Sequence, residues 1–170
     1  MIEVFKSEIG RHVEKCIKES RKEYLYIYED KDNKGIFVSQ EDEFHLKVHN
    51  SKKLTVYLLQ NENCSMSQRD GKQIDWLIFN KEVLCFIENK SNVGKRRRSK
   101  SKREAYIQLE SAFSFYKNVI EKYNWKNLIG VIIIEPSRTI RTPNAEKSSL
   151  KAKFKLVYNV DVMEKNSLYL

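Results

Sequence analysis

Residues 74–90 read Ile-Asp-Trp-Leu-Ile-Phe-Asn-Lys-Glu-Val-Leu-Cys-Phe-Ile-Glu-Asn-Lys. Ile74 to Phe79 is apolar apart from Asp75, and Val83 to Glu88 is apolar until its end. Runs of this length, rich in aromatic and β-branched residues, predict two strands, with Asn80-Lys81 as the simplest two-residue turn between them. Phe79 is then opposite Glu82, and Asp75 opposite Phe86. Opposed residues share a face of the sheet, and so do residues two apart on one strand. Asp75, Leu77, Leu84, Phe86, Glu88 and Lys90 are therefore expected on one side, with the two carboxylates as diagonal neighbours about 7–8 Å apart. A turn longer by one residue would send Asp75 to the other face.

Outward from this hairpin the pattern is that of one α/β domain spanning residues 1–170. Ile2, Phe5, Ile9, Val13, Cys16 and Ile17 recur at three- and four-residue spacing, which predicts an amphipathic helix over residues 2 to about 20. Tyr24 to Tyr28, Gly35 to Ser39, Phe44 to Val48 and Leu54 to Leu59 read as strands, and Gln60 to Gln73 as a polar loop. Past the hairpin, apolar residues at helical spacing from about Arg103 to Tyr123 predict a second helix. Leu128 to Glu135 is a continuous apolar run of the kind buried on both faces of a sheet, ended by Pro136. Phe154 to Val162 reads as one more strand or hairpin. No internal repeat or Pro/Ser/Gly linker divides the chain.

Hydrophobic residues make up 41% and charged residues 32% of the 170, a composition that excludes global disorder. No apolar run approaches the roughly 20 residues that span a bilayer. Nothing in the N-terminal stretch directs export, so a cytoplasmic location is expected. Cys16 and Cys85 fall in apolar patterns and read as buried thiols of a reducing compartment. The spacing of His45, His49 and Cys64 matches no standard zinc finger, and a solvated strand face is the better reading. The net charge of +9 favours a polyanionic partner. Lys95, Arg96, Arg97, Arg98, Lys100, Lys102 and Arg103 form a basic run directly after the Glu88 strand, expected to grip phosphates as a loop, with Arg138 and Arg141 able to extend that surface.

Two carboxylates and a lysine on one surface suit a hard divalent cation and an attacking water. Asp75, then twelve residues, then Glu88-Asn89-Lys90 resembles the D-x(n)-(D/E)-x-K signature of the PD-(D/E)xK nuclease superfamily, with Ile74 where that group often has proline. A second E-x-K, at Glu29 to Lys31, has no aspartate before it. The resemblance implies a restriction-endonuclease-like core of helix, three antiparallel strands, helix, strand (αβββαβ), as a central mixed sheet flanked by helices. It covers roughly Ile2 to Glu135, leaving a β-rich C-terminal tail outside. It further implies a Mg2+- or Mn2+-dependent nuclease in which Asp75 and Glu88 bind the metal and Lys90 positions the water. Gly10-Arg-His-Val-Glu14 resembles the first-helix motif of resolvase-like members, which makes Glu14 a third metal-binding residue, with Glu8 as the alternative. Gln108 matches the glutamine that many members place beside the site. The expected partner is nucleic acid, DNA in the first instance, with a homodimer or a larger defence or repair complex also open. A catalytically inactive binding module on the same fold is the alternative.

Overall fold

The computed structural model describes the chain apart from residues 41, 63, 92–96 and 135–144. Helix α1 (Ile2–Glu8) leads through a 3-10 turn (Arg11–Cys16) into β1 (Ile17–Ser20). Strands β2 (Tyr24–Glu29), β3 (Gly35–Val38), β4 (Leu46–His49), β5 (Val56–Gln60), β6 (Trp76–Phe79) and β7 (Val83–Asn89) follow. Then come α2 (Arg98–Phe115), α3 (Lys117–Tyr123), β8 (Asn127–Ile133), α4 (Ala145–Tyr158), β9 (Asp161–Glu164) and β10 (Ser167–Tyr169). One sheet runs β1-β5-β6-β7-β8-β9, antiparallel from β1 to β7 and parallel from β7 to β9. The other runs β10-β4-β2-β3. The protein is an α/β fold with a mixed sheet and helices packed on it.

The layers differ from a sheet flanked by helices on both sides. Leu77, Phe79, Leu84 and Phe86 point to one face of the large sheet and join Phe5 of α1, Leu109 and Phe113 of α2 and Phe154 of α4 in one core. Trp76, Ile78, Cys85 and Ile87 alternate with them and pack instead against Leu25, Ile27, Leu46 and Val48 of the second sheet. Helices cover one face; a second sheet covers the other. The two sheets come close at Gly35, where an added Cβ would sit 2.8 Å from Trp76 Nε1.

Three expected elements are corrected. The first helix ends at Glu8, because Gly10 takes φ 129°, a conformation that breaks a helix, and the 3-10 turn follows. Three-residue periodicity in that turn still buries Val13 and Cys16 together, so the apolar stripe ran on past the break. The expected 154–162 strand is helical at first and extended only at its end: α4 runs to Tyr158, burying Phe154 and leaving Leu156 and Val157 86% and 61% exposed, and β9 begins at Asp161. Leu150, Phe154 and Tyr158, four apart, form its inward stripe. The basic run is not all loop either. Arg98 to Arg103 form the first turns of α2, while Lys95 and Arg96 lie outside the described residues, as do Arg138 and Arg141.

The β6–β7 hairpin forms, but in a different register. Phe79 pairs with Leu84 and Trp76 with Ile87, so the bend falls one residue later than expected. Asn80 decides this. Its side-chain Oδ1 accepts from the amides of Glu82 and Val83 (2.8 and 2.9 Å), and its own amide donates to Val83 O at 3.0 Å. Asparagine offers the backbone this alternative at turns. The slip is by two residues, an even number, so every side chain keeps its face.

Cys16 and Cys64 are joined in a disulfide across 48 residues, against the expectation of a reduced Cys16; Cys85 is a buried free thiol. A loop of that length predicts about 4 kcal/mol of stabilisation through the unfolded chain. The Cys16→Ser/Cys64→Ser variant should lose about that much in urea unfolding. Wild type with excess reductant should match it, whereas an unchanged midpoint would show that the bond contributes nothing in solution.

Candidate active site

The register places Asp75, one step beyond the Trp76–Ile87 pair, across from Glu88 and on the helix-covered face. Each is held by its surroundings. The Asp75 carbonyl accepts from Asn61 N at 3.0 Å, and its Oδ2 accepts from Asn89 N at 2.5 Å. Glu88 ends the buried run of β7, and its side chain is 1% exposed. Lys90 follows on the same side, with Nζ 2.5 Å from Glu88 Oε1. This is an ion pair by distance, yet neither carboxylate oxygen of Glu88 has a well-formed hydrogen bond among the described residues.

Gln108 reaches the pair from α2. Its Nε2 donates to Gln73 O at 2.6 Å, and the same amide bears on the Glu88 carboxylate. Gln73 in turn donates to Met66 O at 2.7 Å. The strand end carrying Asp75 hangs from a buried polar knot. Asn61 Nδ2 donates to Ile74 O at 2.8 Å, and Asn61 Oδ1 accepts from Tyr116 (2.6 Å) and Ser65 (3.1 Å). Asn61 and Ser65 lie in a polar stretch with no periodicity, so the sequence offered no signal for them. Glu29 and Glu62 also come near enough to act on Asp75, and Glu29 accepts from Asn89 Nδ2 at 2.5 Å. Neither was expected, because the contact joins segments of two different sheets and a loop.

The remaining expected residues are spread out. Glu14 is half-exposed on the 3-10 turn and paired with Lys6, and Glu8 is paired with Lys122. No three His, Cys, Asp or Glu side chains among the described residues are grouped so as to hold a metal ion, so Glu14 does not join Asp75 and Glu88. Of the basic run, Arg97 and Arg103 are exposed. Lys100 lies 3.9 Å from Glu104, and Lys102 is paired with Glu164 of β9 and largely withdrawn from solvent.

Burial dominates the electrostatics. It pushes the Asp75 carboxyl up to about 7; the Asn89 amide and Lys90 oppose this, while Glu29 and Glu62 add to it. Burial, then Asp75, holds Glu88 well above the usual carboxylate range, with Lys90 and the Gln108 amide pulling back part of the way. Burial alone would lower Lys90, but Glu88 beside it turns the net shift upward. Two adjacent carboxyls, Glu88 buried with neither oxygen hydrogen-bonded among the described residues and Asp75 part-buried with one bond from Asn89 N, fit a hard divalent cation, which is commonly bound through one or two carboxylates plus waters.

The chain matches no family model, no curated protein and no solved structure. The reading of this site therefore rests on its own geometry.

Both carboxyls hold protons more tightly folded than unfolded. Their stabilising contribution is complete below the unfolded value near 4 and is lost as pH rises, through about 7 for Asp75. Metal-free protein should thus lose stability relative to Asp75→Asn between about pH 4.5 and 7.5, by a few kcal/mol at roughly 1.4 per unit. Asparagine keeps an acceptor for the Asn89 amide. Parallel stability–pH curves for the two proteins would show that Asp75 is not desolvated.

Proposed function

We propose that the protein is a divalent-metal-dependent nuclease that hydrolyses phosphodiester bonds, with DNA as its substrate. The observation that carries this reading is the placement of Asp75 across from Glu88, with the Lys90 ammonium 2.5 Å from Glu88. The order α1, then antiparallel β5-β6-β7, then α2, then β8 parallel to β7 supports a restriction-endonuclease-like core of the PD-(D/E)xK type. The helices gathered on one face depart from a sheet flanked on both sides.

In this reading Asp75 and Glu88 hold Mg2+ or Mn2+. The cation, when bound, stabilises charge on the phosphoryl oxygens and lowers the pKa of its water. Lys90 moves from Glu88 toward the attacking water or the developing charge. Gln108, anchored by Gln73 O, fixes the Glu88 carboxylate from the helix side. The exposed Arg97 and Arg103, with Lys95, Arg96, Arg98 and Lys100 of the same run, provide cationic contacts to backbone phosphates. These contacts carry no base-specific readout, so affinity should fall steeply with salt.

One observation favours a second reading, a nucleic-acid-binding module without catalysis. The Glu88 side chain is 1% exposed, and Lys90 closes onto it. The two readings part in one assay. Purified protein incubated with single- and double-stranded DNA and RNA should cut with Mg2+ or Mn2+ and stop with EDTA. Glu88→Gln and Lys90→Ala should each slow cleavage roughly 10²–10³-fold, the scale for removing one electrostatic contributor. Glu14→Ala should cut close to wild type. Binding with no metal-dependent cleavage on any substrate would favour the module.

A further inference from the structure

On the outer face of the second sheet Tyr26, in the middle of β2, is buried against Phe44 with ring centres 5.0 Å apart, while Tyr24 and Tyr169 at the β2 and β10 ends reach the surface. Tyr24 lies directly across from His49 on β2 and β4, and Tyr169 lies across from His49 on β10. The Tyr24 and His49 rings stack at 4.7 Å and 6°, and Tyr169 meets His49 edge-on at 5.5 Å. Four residues along β2, Tyr28 stacks on His45 at 4.7 Å. Between the two groups Lys47 Nζ lies 5.0 Å from the Tyr24 ring centre. Tyr24 and Tyr169 are 43% and 69% exposed, unusual for rings with no partner beyond their neighbours on the sheet.

We propose that this face is a stacking platform for single-stranded nucleic acid. Every base has a π-face, and aromatic side chains beside a cation are what such strands bind without sequence preference. The charge fits that occupant. Glu29 is the one acid on the four strands and alternation turns it inward, so every outward position on them is neutral or basic. Lys47 makes no ion pair among the described residues; Glu23 at the rim is paired with Lys53 at 3.2 Å, and its other oxygen lies 3.9 Å from His49 Nε2. A duplex would hide its bases from these rings, so the platform selects unpaired strand.

The geometry also brings the second sheet to the strands that carry the acidic pair. Tyr24 to Tyr28 covers about 13 Å of strand. The next residue, Glu29, accepts the hydrogen bond from Asn89, which sits between Glu88 and Lys90. The inner side of the β2 end therefore meets the end of β7, with Asp75 and Glu88 on the opposite face of that strand pair. Any use of the bound strand as substrate rests on the nuclease reading; the binding itself does not.

The test keeps the two apart by working in EDTA, where no cleavage is expected. Fluorescence anisotropy would compare a labelled mixed-sequence single strand with its duplex on the whole protein. Wild type should prefer the single strand by about tenfold or more, and Tyr24→Ala and Tyr169→Ala should each weaken it roughly five- to hundredfold. Tyr169→Phe should retain binding, because the ring and not the hydroxyl stacks, and duplex affinity should not move in any variant. Both tyrosines are exposed, so folding should survive, as circular dichroism would check. Unchanged single-strand binding in both alanine variants would overturn the proposal, as would equal affinity for the duplex. Self-association abolished by Tyr169→Ala would assign the face to a second copy and overturn it too. Tight, tyrosine-dependent binding by a protein that never cuts would uphold the platform and defeat only the nuclease reading.

Discussion

Placing the Glu88 carboxylate in the middle of a sheet is the constraint from which the rest of this structure follows. β7 is paired on both edges, covered by helices on one face and by a second sheet on the other. A carboxyl there cannot turn toward water, and an unpaired buried charge costs far more than most side-chain contacts return. The protein meets this cost with Lys90 two residues on and with Gln108 from α2. Asp75 across the ladder makes the cost larger, and two crowded, desolvated acids share protons or a cation more readily than they ionise. In the proposed reading, a bound divalent cation would offset this cost.

Holding Asp75 in place requires the segment before it to be ordered without being regular. Asn61 does this with its backbone amide and its side chain together, one on Asp75 O and the other on Ile74 O. Tyr116 at the α2–α3 junction closes the knot on Asn61 and Ser65, so the helix layer and the loop are hydrogen-bonded to each other. The disulfide at Cys64 ties the same loop to the end of the 3-10 turn. Buried polar networks of this kind, fully satisfied, specify one geometry rather than many.

The second sheet gives the molecule two unlike surfaces. Its inner side completes the core under Trp76 and Ile78, where helices would otherwise be needed. Its outer side carries rings and a lysine in place of the charged residues that usually solvate an outer sheet face. Strand alternation is enough to separate these roles, and Glu29 is where the second sheet touches the acidic pair through Asn89.

The hairpin at 74–90, the α/β class and the common face of Asp75, Glu88 and Lys90 were legible in the residues alone, because a period of two is local and survives an even register slip. The register itself was not. It turned on whether the Asn80 side chain caps the following amides, a choice made once Trp125 and the strands close around it. Periodicity carried the apolar stripe across Gly10, and β-prone residues concealed α4, since a 3-10 turn and a one-sided helix both imitate other patterns. The Cys16–Cys64 bond, the Asn61–Tyr116 knot and the approach of Glu29 to Asn89 join segments some 48, 55 and 60 residues apart. No local pattern encodes such distances. The sequence alone determined which groups could do chemistry; only the tertiary structure decided which of them meet, because burial and long-range contact exist only once the chain has closed on itself.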